Sequence, residues 1–233
     1  MTLGAALLFD LDGTLVDSDA RHMAAFRRIL QPFGVTVDQA LYESSIHGAS
    51  NELIGQTFLA HLTPEGQRRI LEEKEAEYRA GLAGVEAIAG VSALLDYADR
   101  LGLKRAVVTN APRANAEAVL EALGLAARLG PIVIGSELAR SKPDPLPYLT
   151  ALALTGASAE RSLAFEDSAP GVRSAAAAGL AVVGLTTTLE AQALIEAGAL
   201  FATADFTDPR IFALIDSRIG ANAEEQVREE IRA

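Results

Sequence analysis

Apolar residues gather in short, nearly continuous runs at positions 5–11, 104–109, 131–134, 162–165 and 180–185. Runs that lack polar alternation predict strands buried on both faces, as in a parallel sheet covered by helices. Between the runs, polar and apolar residues fall into helical spacing. Val91, Leu94, Leu95, Ala98 and Leu101 form an i, i+3, i+4, i+7 stripe that stops at Gly102. Ala116, Val119, Leu120 and Leu123 repeat it before Gly124, and further helices are expected over 145–154 and 170–178. Strand, helix and glycine stop, repeated, predict an α/β fold: a doubly wound, Rossmann-like parallel sheet with right-handed crossovers.

One stretch breaks this rhythm. Between the first strand and the helix near Gly90, the chain shows no strand signal, while 20–33, 51–62 and 64–82 each carry helical periodicity. Turn signals fall at Phe33-Gly34, His47-Gly48 and Thr63-Pro64. A connection this long is expected to be an inserted helical subdomain, a cap, rather than a loop. Its expected extent is 17–86, hinged at Asp17-Ser18 and 84–90, with the α/β core formed by 1–16 and 87–233. The segment 220–233, with Glu224, Glu225, Glu229 and Glu230, reads as a surface helix or frayed tail without chemistry.

Composition narrows the function classes. Half of the 233 residues are hydrophobic, enough for one or two ordinary cores and too many for intrinsic disorder. The absence of cysteine excludes disulfides, thiolate metal sites and cysteine nucleophiles. No apolar run approaches the ~20 residues of a membrane span. The opening MTLGAALLFDLDGT has no basic region and meets acidic residues at once, unlike a secretory signal, so a cytoplasmic protein is expected. Acidic residues outnumber basic ones 31 to 20, for a net charge of -11. A field of this sign, with no lysine or arginine cluster to offset it, argues against nucleic acid as a partner. A small anionic substrate requires a cation or local positive dipoles to receive it.

Candidate chemistry concentrates where the strands end. The first run closes in Phe9-Asp10-Leu11-Asp12-Gly13-Thr14. Residues two apart in an extended segment project to the same side, so Asp10 and Asp12 can share one site. Such folds bind ligands beyond the C-terminal ends of their strands; Asp12 before Gly13 is, by itself, also an ordinary turn residue. The second run ends in Val107-Val108-Thr109-Asn110, a hydroxyl followed by backbone N–H groups beside a helix start, which suits a phosphate. Taken alone, Thr109 or Asn110 serves equally as a helix cap.

The fourth run ends in Phe165-Glu166-Asp167-Ser168. Asp10, Asp12, Glu166 and Asp167 would crowd one sheet edge, which is unfavourable without a cation. An oxygen-ligated divalent ion, Mg2+ with retained waters, answers that need, although Glu166-Asp167 alone could cap the next helix. In Ser141-Lys142-Pro143-Asp144-Pro145 the prolines suit a helix entry, and Lys142 either reaches an anion as a point charge or stays solvated.

Together, FDLDGTLVDS (9–18), VVTN (107–110), SKPDP (141–145) and FEDS (165–168) resemble the four motifs of the haloacid dehalogenase-like superfamily. The resemblance is to its magnesium-dependent phosphatase and phosphomutase branch, whose helical cap follows the first motif. It implies that Asp10 is a nucleophile forming an aspartyl-phosphate, and that Asp12 acts as general acid and then base, with its carbonyl on Mg2+. Thr109 and the Asn110 amide would hold phosphoryl oxygens, Lys142 would neutralise charge, and Glu166 and Asp167 would position the metal. True dehalogenases of the superfamily lack the second aspartate, so Asp12 argues against carbon–halogen hydrolysis.

The cap carries the remaining candidates. His22 resembles the histidine that assists the acid/base aspartate in β-phosphoglucomutase-like enzymes; an exposed helix histidine is the plain alternative. Lys74 resembles the cap lysine those enzymes direct at substrate, while its neighbours Glu72, Glu73 and Glu75 favour a solvated lysine. Positions 46–51 resemble their specificity loop, but Asn51 stands where the mutases carry an arginine for the non-transferring phosphate. Unless Arg68, Arg69 or Lys74 substitutes, that departure favours hydrolysis over transfer. The expectation is a Mg2+-dependent phosphatase of a small phosphorylated metabolite, a sugar phosphate or phosphoglycolate-like compound. A β-phosphoglucomutase-like phosphohexomutase is the alternative, and a non-catalytic module that retains the fold is a third. Neither nucleic acid nor membrane is expected as a partner.

Overall fold

The computed structural model describes residues 4–46 and 51–220. The turn expected at His47-Gly48, most of the 46–51 loop and the tail beyond 220 lie outside the described residues. The chain divides into two compact units, Ser18–Val85 and the remainder. The larger unit opens with β1 (Ala6–Phe9), buried along its whole length. It is shorter than the apolar run 5–11, because beyond Asp10 the chain leaves the ladder for a turn in which the Gly13 N–H bonds the Val16 carbonyl at 2.7 Å.

The smaller unit is helical, with α1 (Asp19–Leu30), α2 (Gln39–Leu41), α3 (Asn51–Phe58) and α4 (Pro64–Ala80). Helix α1 stops before the expected residue 33. Pro32 has no N–H to continue the ladder, so the chain tightens into a 3-10 turn at Gln31–Phe33 and leaves it at Gly34. Helix α2 runs directly into a π-helical turn at Tyr42–Ile46, which the periodicity did not announce. Thr63 caps α4 by accepting the Gly66 N–H, with Pro64 in the first helical position. The apolar stripes meet in one core of Phe26, Leu30, Val37, Tyr42, Ile46, Ile54, Leu59, Ile70 and Leu71.

The larger unit continues with α5 (Val91–Arg100), β2 (Lys104–Thr109), α6 (Arg113–Ala122), β3 (Ile132–Ile134) and α7 (Leu146–Thr155). Then follow β4 (Leu163–Glu166), α8 (Ala169–Ala177), β5 (Ala181–Leu185), α9 (Ala191–Ala197), β6 (Phe201–Thr203) and α10 (Pro209–Gly220). The described strands form one parallel sheet of order β3-β2-β1-β4-β5-β6. Chain order therefore reverses between β1 and β4, the switch point at which such sheets open a crevice. The periodicity gave no sign of β6, an edge strand of three half-buried residues.

Side chains alternate across the sheet. Ala6, Leu8, Ala106, Val108, Ala164 and Val182 pack with Tyr148, Leu152, Val172, Ala175 and Leu194 from α7, α8 and α9. The intervening Phe9 and Phe165 stack at 5.0 Å and meet Phe206 at 6.0 and 5.2 Å. Each such ring contributes about 1.5–3 kcal/mol on burial. Asp10 lies two residues beyond Leu8, and Glu166 two beyond Ala164, so strand alternation aims both carboxylates toward the side covered by α7. No helix among the described residues is long and apolar enough to cross a membrane.

Candidate active site

At the C-terminal edge of the sheet, β1 and β4 deliver their acids side by side. The Asp10 N–H bonds the Phe165 carbonyl at 3.0 Å, which extends the β1–β4 pairing into the site. Lys142, from the loop before α7, donates to Asp10 Oδ1 and, at 2.6 Å, to Glu166 Oε1. The Tyr148 hydroxyl donates to the same Glu166 oxygen at 2.6 Å, and Ser168 Oγ bonds Glu166 Oε2 at 3.2 Å. All of these acids, the lysine and the tyrosine are buried.

Asp167 is held by a different set of partners. Its Oδ1 accepts from Thr14 Oγ1 at 3.1 Å, and Thr188 bonds the same carboxylate. Two glycines make room for the acids. A Cβ on Gly13, which lies at φ +76°, would meet Asp167 Oδ2 at 2.1 Å. A Cβ on Gly171, in the first turn of α8, would fall 1.9–2.1 Å from all three carboxyl atoms of Glu166.

Among the described residues, Asp10, Glu166 and Asp167 can offer ligand atoms within 4.8 Å of one another. Asp12 is not one of this trio; it is half-buried in the turn that follows β1. Thr109 is buried at the end of β2, its hydroxyl accepting the Ala111 N–H at 3.0 Å, and Asn110 beside it is exposed. These two flank the start of α6, on the strand adjacent to β1.

Three buried carboxylates face one ammonium, and the electrostatics follow from that imbalance. Burial raises Asp10 well above the ordinary carboxylate range; Lys142 opposes the shift, and Glu166 and Asp167 add to it. Asp167 is pushed up to about 7, chiefly by burial and then by Glu166, against the pull of Thr188, Lys142 and Thr14. Lys142 is driven the other way from an isolated buried lysine: desolvation alone would lower it, but Asp10 and Glu166 raise it. A cluster that holds protons this firmly is short of positive charge. Its donors are all oxygens, the set preferred by a hard divalent cation.

The smaller unit gathers its own polar cluster. Lys74 is 4% exposed, not solvated as its acidic neighbours suggested. A desolvated ammonium needs a partner, and Lys74 Nζ donates to Glu75 Oε1 at 3.1 Å, lies 3.2 Å from His22 Nδ1, and sits 4.4 Å over the Phe26 ring. His22 stacks on Tyr78 at 3.9 Å. Asn51 Nδ2 donates to Glu75 Oε1 at 2.9 Å, so His22, Asn51 and Lys74 belong to one cluster centred on Glu75. Of the substitute cations, Arg69 pairs loosely with Glu73 at 3.9 Å on the surface.

Comparison with known proteins bears on this arrangement. Residues 7–185 match the family model described as haloacid dehalogenase-like hydrolase. The chain belongs to that family. Validoxylamine A 7'-phosphate phosphatase from Streptomyces hygroscopicus subsp. limoneus is 32% identical over 208 residues, covering 87% of this chain and 94% of the relative. Phosphoglycolate phosphatase from Rhodospirillum rubrum is 32% identical over 214 residues, 86% of this chain and 87% of the relative. Among solved structures, CbbY from Rhodobacter sphaeroides in complex with xylulose-(1,5)bisphosphate superposes with a TM-score of 0.75 at 28% identity. That match covers 89% of this chain and 96% of CbbY.

Within this family member, several supporting residues carried no signal of their own in the sequence. Thr14 and Ser168 sit inside the quoted FDLDGT and FEDS strings, yet nothing in the strings says which acid each serves. Tyr148 follows Lys142 by six residues, and its ring satisfies the core pattern of α7 without its hydroxyl. Thr188 lies in the loop after β5, which the motifs do not reach. Gly171 forfeits helix propensity in the first turn of α8, but Gly66 in α4 shares that trait without a comparable clash, so the sequence does not single Gly171 out.

Proposed function

We propose that this chain is a Mg2+-dependent phosphatase that hydrolyses a small phosphorylated metabolite through an aspartyl-phosphate on Asp10. The observation that carries the reading is the meeting of Asp10, Lys142, Glu166 and Asp167 at the switch point of the sheet. The all-oxygen donor set, with Asp10 and Asp167 held protonated more firmly than ordinary carboxylates, fits Mg2+. Asp10 and Asp167, the Asp12 carbonyl, and Glu166 directly or through water would hold the ion. When bound, it supplies the positive charge that admits a phosphate to this acidic pocket.

An Asp10 carboxylate oxygen attacks phosphorus as the ester P–O bond breaks, and Asp12 gives its proton to the leaving alkoxide. Asp12 then takes a proton from water, whose oxygen attacks phosphorus; the Asp10 O–P bond breaks and phosphate leaves. Lys142 offsets the charge that builds as nucleophile and phosphate converge, and Thr109 and the Asn110 N–H receive phosphoryl oxygens. The core, 1–16 and 87–233, carries this chemistry, and the 17–86 cap selects the substrate. His22, Asn51 and Lys74 are its selecting residues. The named relatives support a sugar phosphate or phosphoglycolate-like substrate.

Asn51 favours hydrolysis over transfer, since its amide is engaged with Glu75 and no guanidinium stands at that position to clamp a second phosphate. The reading is tested with an aryl phosphate in Mg2+ and with Asp10→Asn, which is expected to abolish turnover. Full activity in that variant, or turnover after chelation of the metal, refutes it. A hexose 1-phosphate with a trace of bisphosphate separates the mutase: release of 6-phosphate instead of inorganic phosphate would establish transfer.

A further inference from the structure

We infer that Tyr148 is a positioning residue of this site, and that its hydroxyl fixes the Glu166 carboxylate as the buttress that holds the Lys142 ammonium against Asp10. The inference rests on the phosphatase reading and extends it to a residue with no place in that mechanism.

Tyr148 is fully buried in α7, between the sheet and α8. Its ring fills the core as a phenylalanine would, so packing does not require the oxygen. A buried phenol with no acceptor is costly, and this one finds its acceptor in Glu166 Oε1 at 2.6 Å. That oxygen also receives Lys142 Nζ at 2.6 Å, and an oxygen of a carboxylate has two lone-pair sites. Oε1 is thus filled by two donors that pin its position. Among the described residues Oε2 takes only Ser168 Oγ and keeps acceptor capacity.

The hydroxyl therefore settles which oxygen of Glu166 serves the lysine and which remains open. It also separates the two adjacent acids: Glu166 is tied to α7 and Lys142, whereas Asp167 is tied to Thr14 and Thr188. Lys142 is held on three sides, by Asp10, by Glu166 and by the Tyr148 ring, whose centroid lies 5.4 Å from Nζ. Removing the hydroxyl frees the carboxylate to rotate and leaves Lys142 with a looser buttress at the atom where charge builds.

Tyr148→Phe deletes the oxygen and keeps the ring. With an aryl phosphate at saturating Mg2+, kcat is expected to fall about ten- to a hundredfold, the span that corresponds to losing a hydrogen bond to a charged acceptor. KM should change less than about threefold, because the hydroxyl touches no substrate, and a packing role alone would give no such split. A kcat within about twofold of an active wild-type enzyme overturns the inference alone. A wild-type enzyme without turnover overturns the phosphatase reading, and the positioning role with it. Proton spectra of tyrosine-labelled wild-type protein need no variant to fold. A downfield, slowly exchanging hydroxyl proton from Tyr148 supports the pairing with Glu166, and its absence overturns it.

Discussion

Gly171→Ala separates the support of Glu166 from its chemistry, because it alters no polar group. The new methyl would lie 1.9–2.1 Å from three carboxyl atoms, against the 3.0 Å that real Cβ contacts respect. The carboxylate must retreat by about 1 Å, or the start of α8 must shift. A retreat of that size carries the 2.6 Å bonds from Lys142 and Tyr148 to the limit of hydrogen bonding or past it. Two hydrogen bonds to a charged acceptor are worth about 1.5–3 kcal/mol each, and alanine returns roughly 1 kcal/mol of helix propensity. The net expectation is a loss of about 2–5 kcal/mol in urea denaturation, with kcat on an aryl phosphate down at least a hundredfold. Gly66→Ala is the matched control. Gly66 occupies the same place in α4, with its N–H on the Thr63 cap, and its Cβ would meet nothing nearer than 3.3 Å. That variant needs Leu62 to give by only a few tenths of an ångström and should stay within about 1 kcal/mol of wild type. If Gly171→Ala stays within about 1 kcal/mol and threefold of wild type, the carboxylate is not confined as described.

Lys142→Met removes the cation that, among the described residues, faces the three buried carboxylates, so the metal-free protein should lose about 3–5 kcal/mol, and Mg2+ should restore part of it; an unchanged melting temperature contradicts the charge imbalance. Asp167, at about 7 in the fold against 3.8 unfolded, holds a proton that the unfolded chain has released. Stability of the metal-free protein should therefore fall as pH rises from about 4 to 7 and level off above, more steeply than in Asp167→Asn, and identical slopes would dismiss the shift. In the smaller unit, Lys74→Met should cost about 3 kcal/mol by removing the ammonium paired with the buried Glu75 carboxylate, which Asn51 still contacts. Lys74→Met combined with Glu75→Gln should recover part of that loss, and additive losses in denaturation would show the pair to be uncoupled.

How far the sequence was legible follows from which forces are local. The five buried strands were visible because both faces of each are covered, which enforces continuous apolar runs. The strand β6 escaped because an edge strand of three half-buried residues leaves no period to detect. The end of α1 moved because Pro32 outweighs an apolar pattern that continues through Phe33. In the site, Asp10, Lys142, Glu166 and Asp167 were legible as polar residues placed where strands end. Tyr148 was not, since its ring satisfies the core pattern and only the tertiary approach of β4 gives its oxygen a function. Lys74 was misjudged for the same reason: its sequence neighbours are acidic and solvated, but the packing of α1 against α4 decides whether it reaches water.

The net charge of -11 and the affinity for a phosphate anion are compatible because they act over different distances. Surface carboxylates are screened within about 10 Å at ordinary salt, and they oppose a long polyanion whose charges cover much of that surface. The trio of Asp10, Glu166 and Asp167 is buried, where screening is weak and each missing counter-charge is felt in full. Fully ionised, the trio would stand two charges short with its one lysine, a deficit that bound protons or a divalent ion can remove. In the proposed mechanism only then would the pocket cease to repel an incoming phosphate, on which Lys142, the Asn110 N–H and the start of α6 would act. On the proposed reading, the acidity of the site would make its occupancy by phosphate conditional on metal, with no need of a basic surface patch for an anionic substrate.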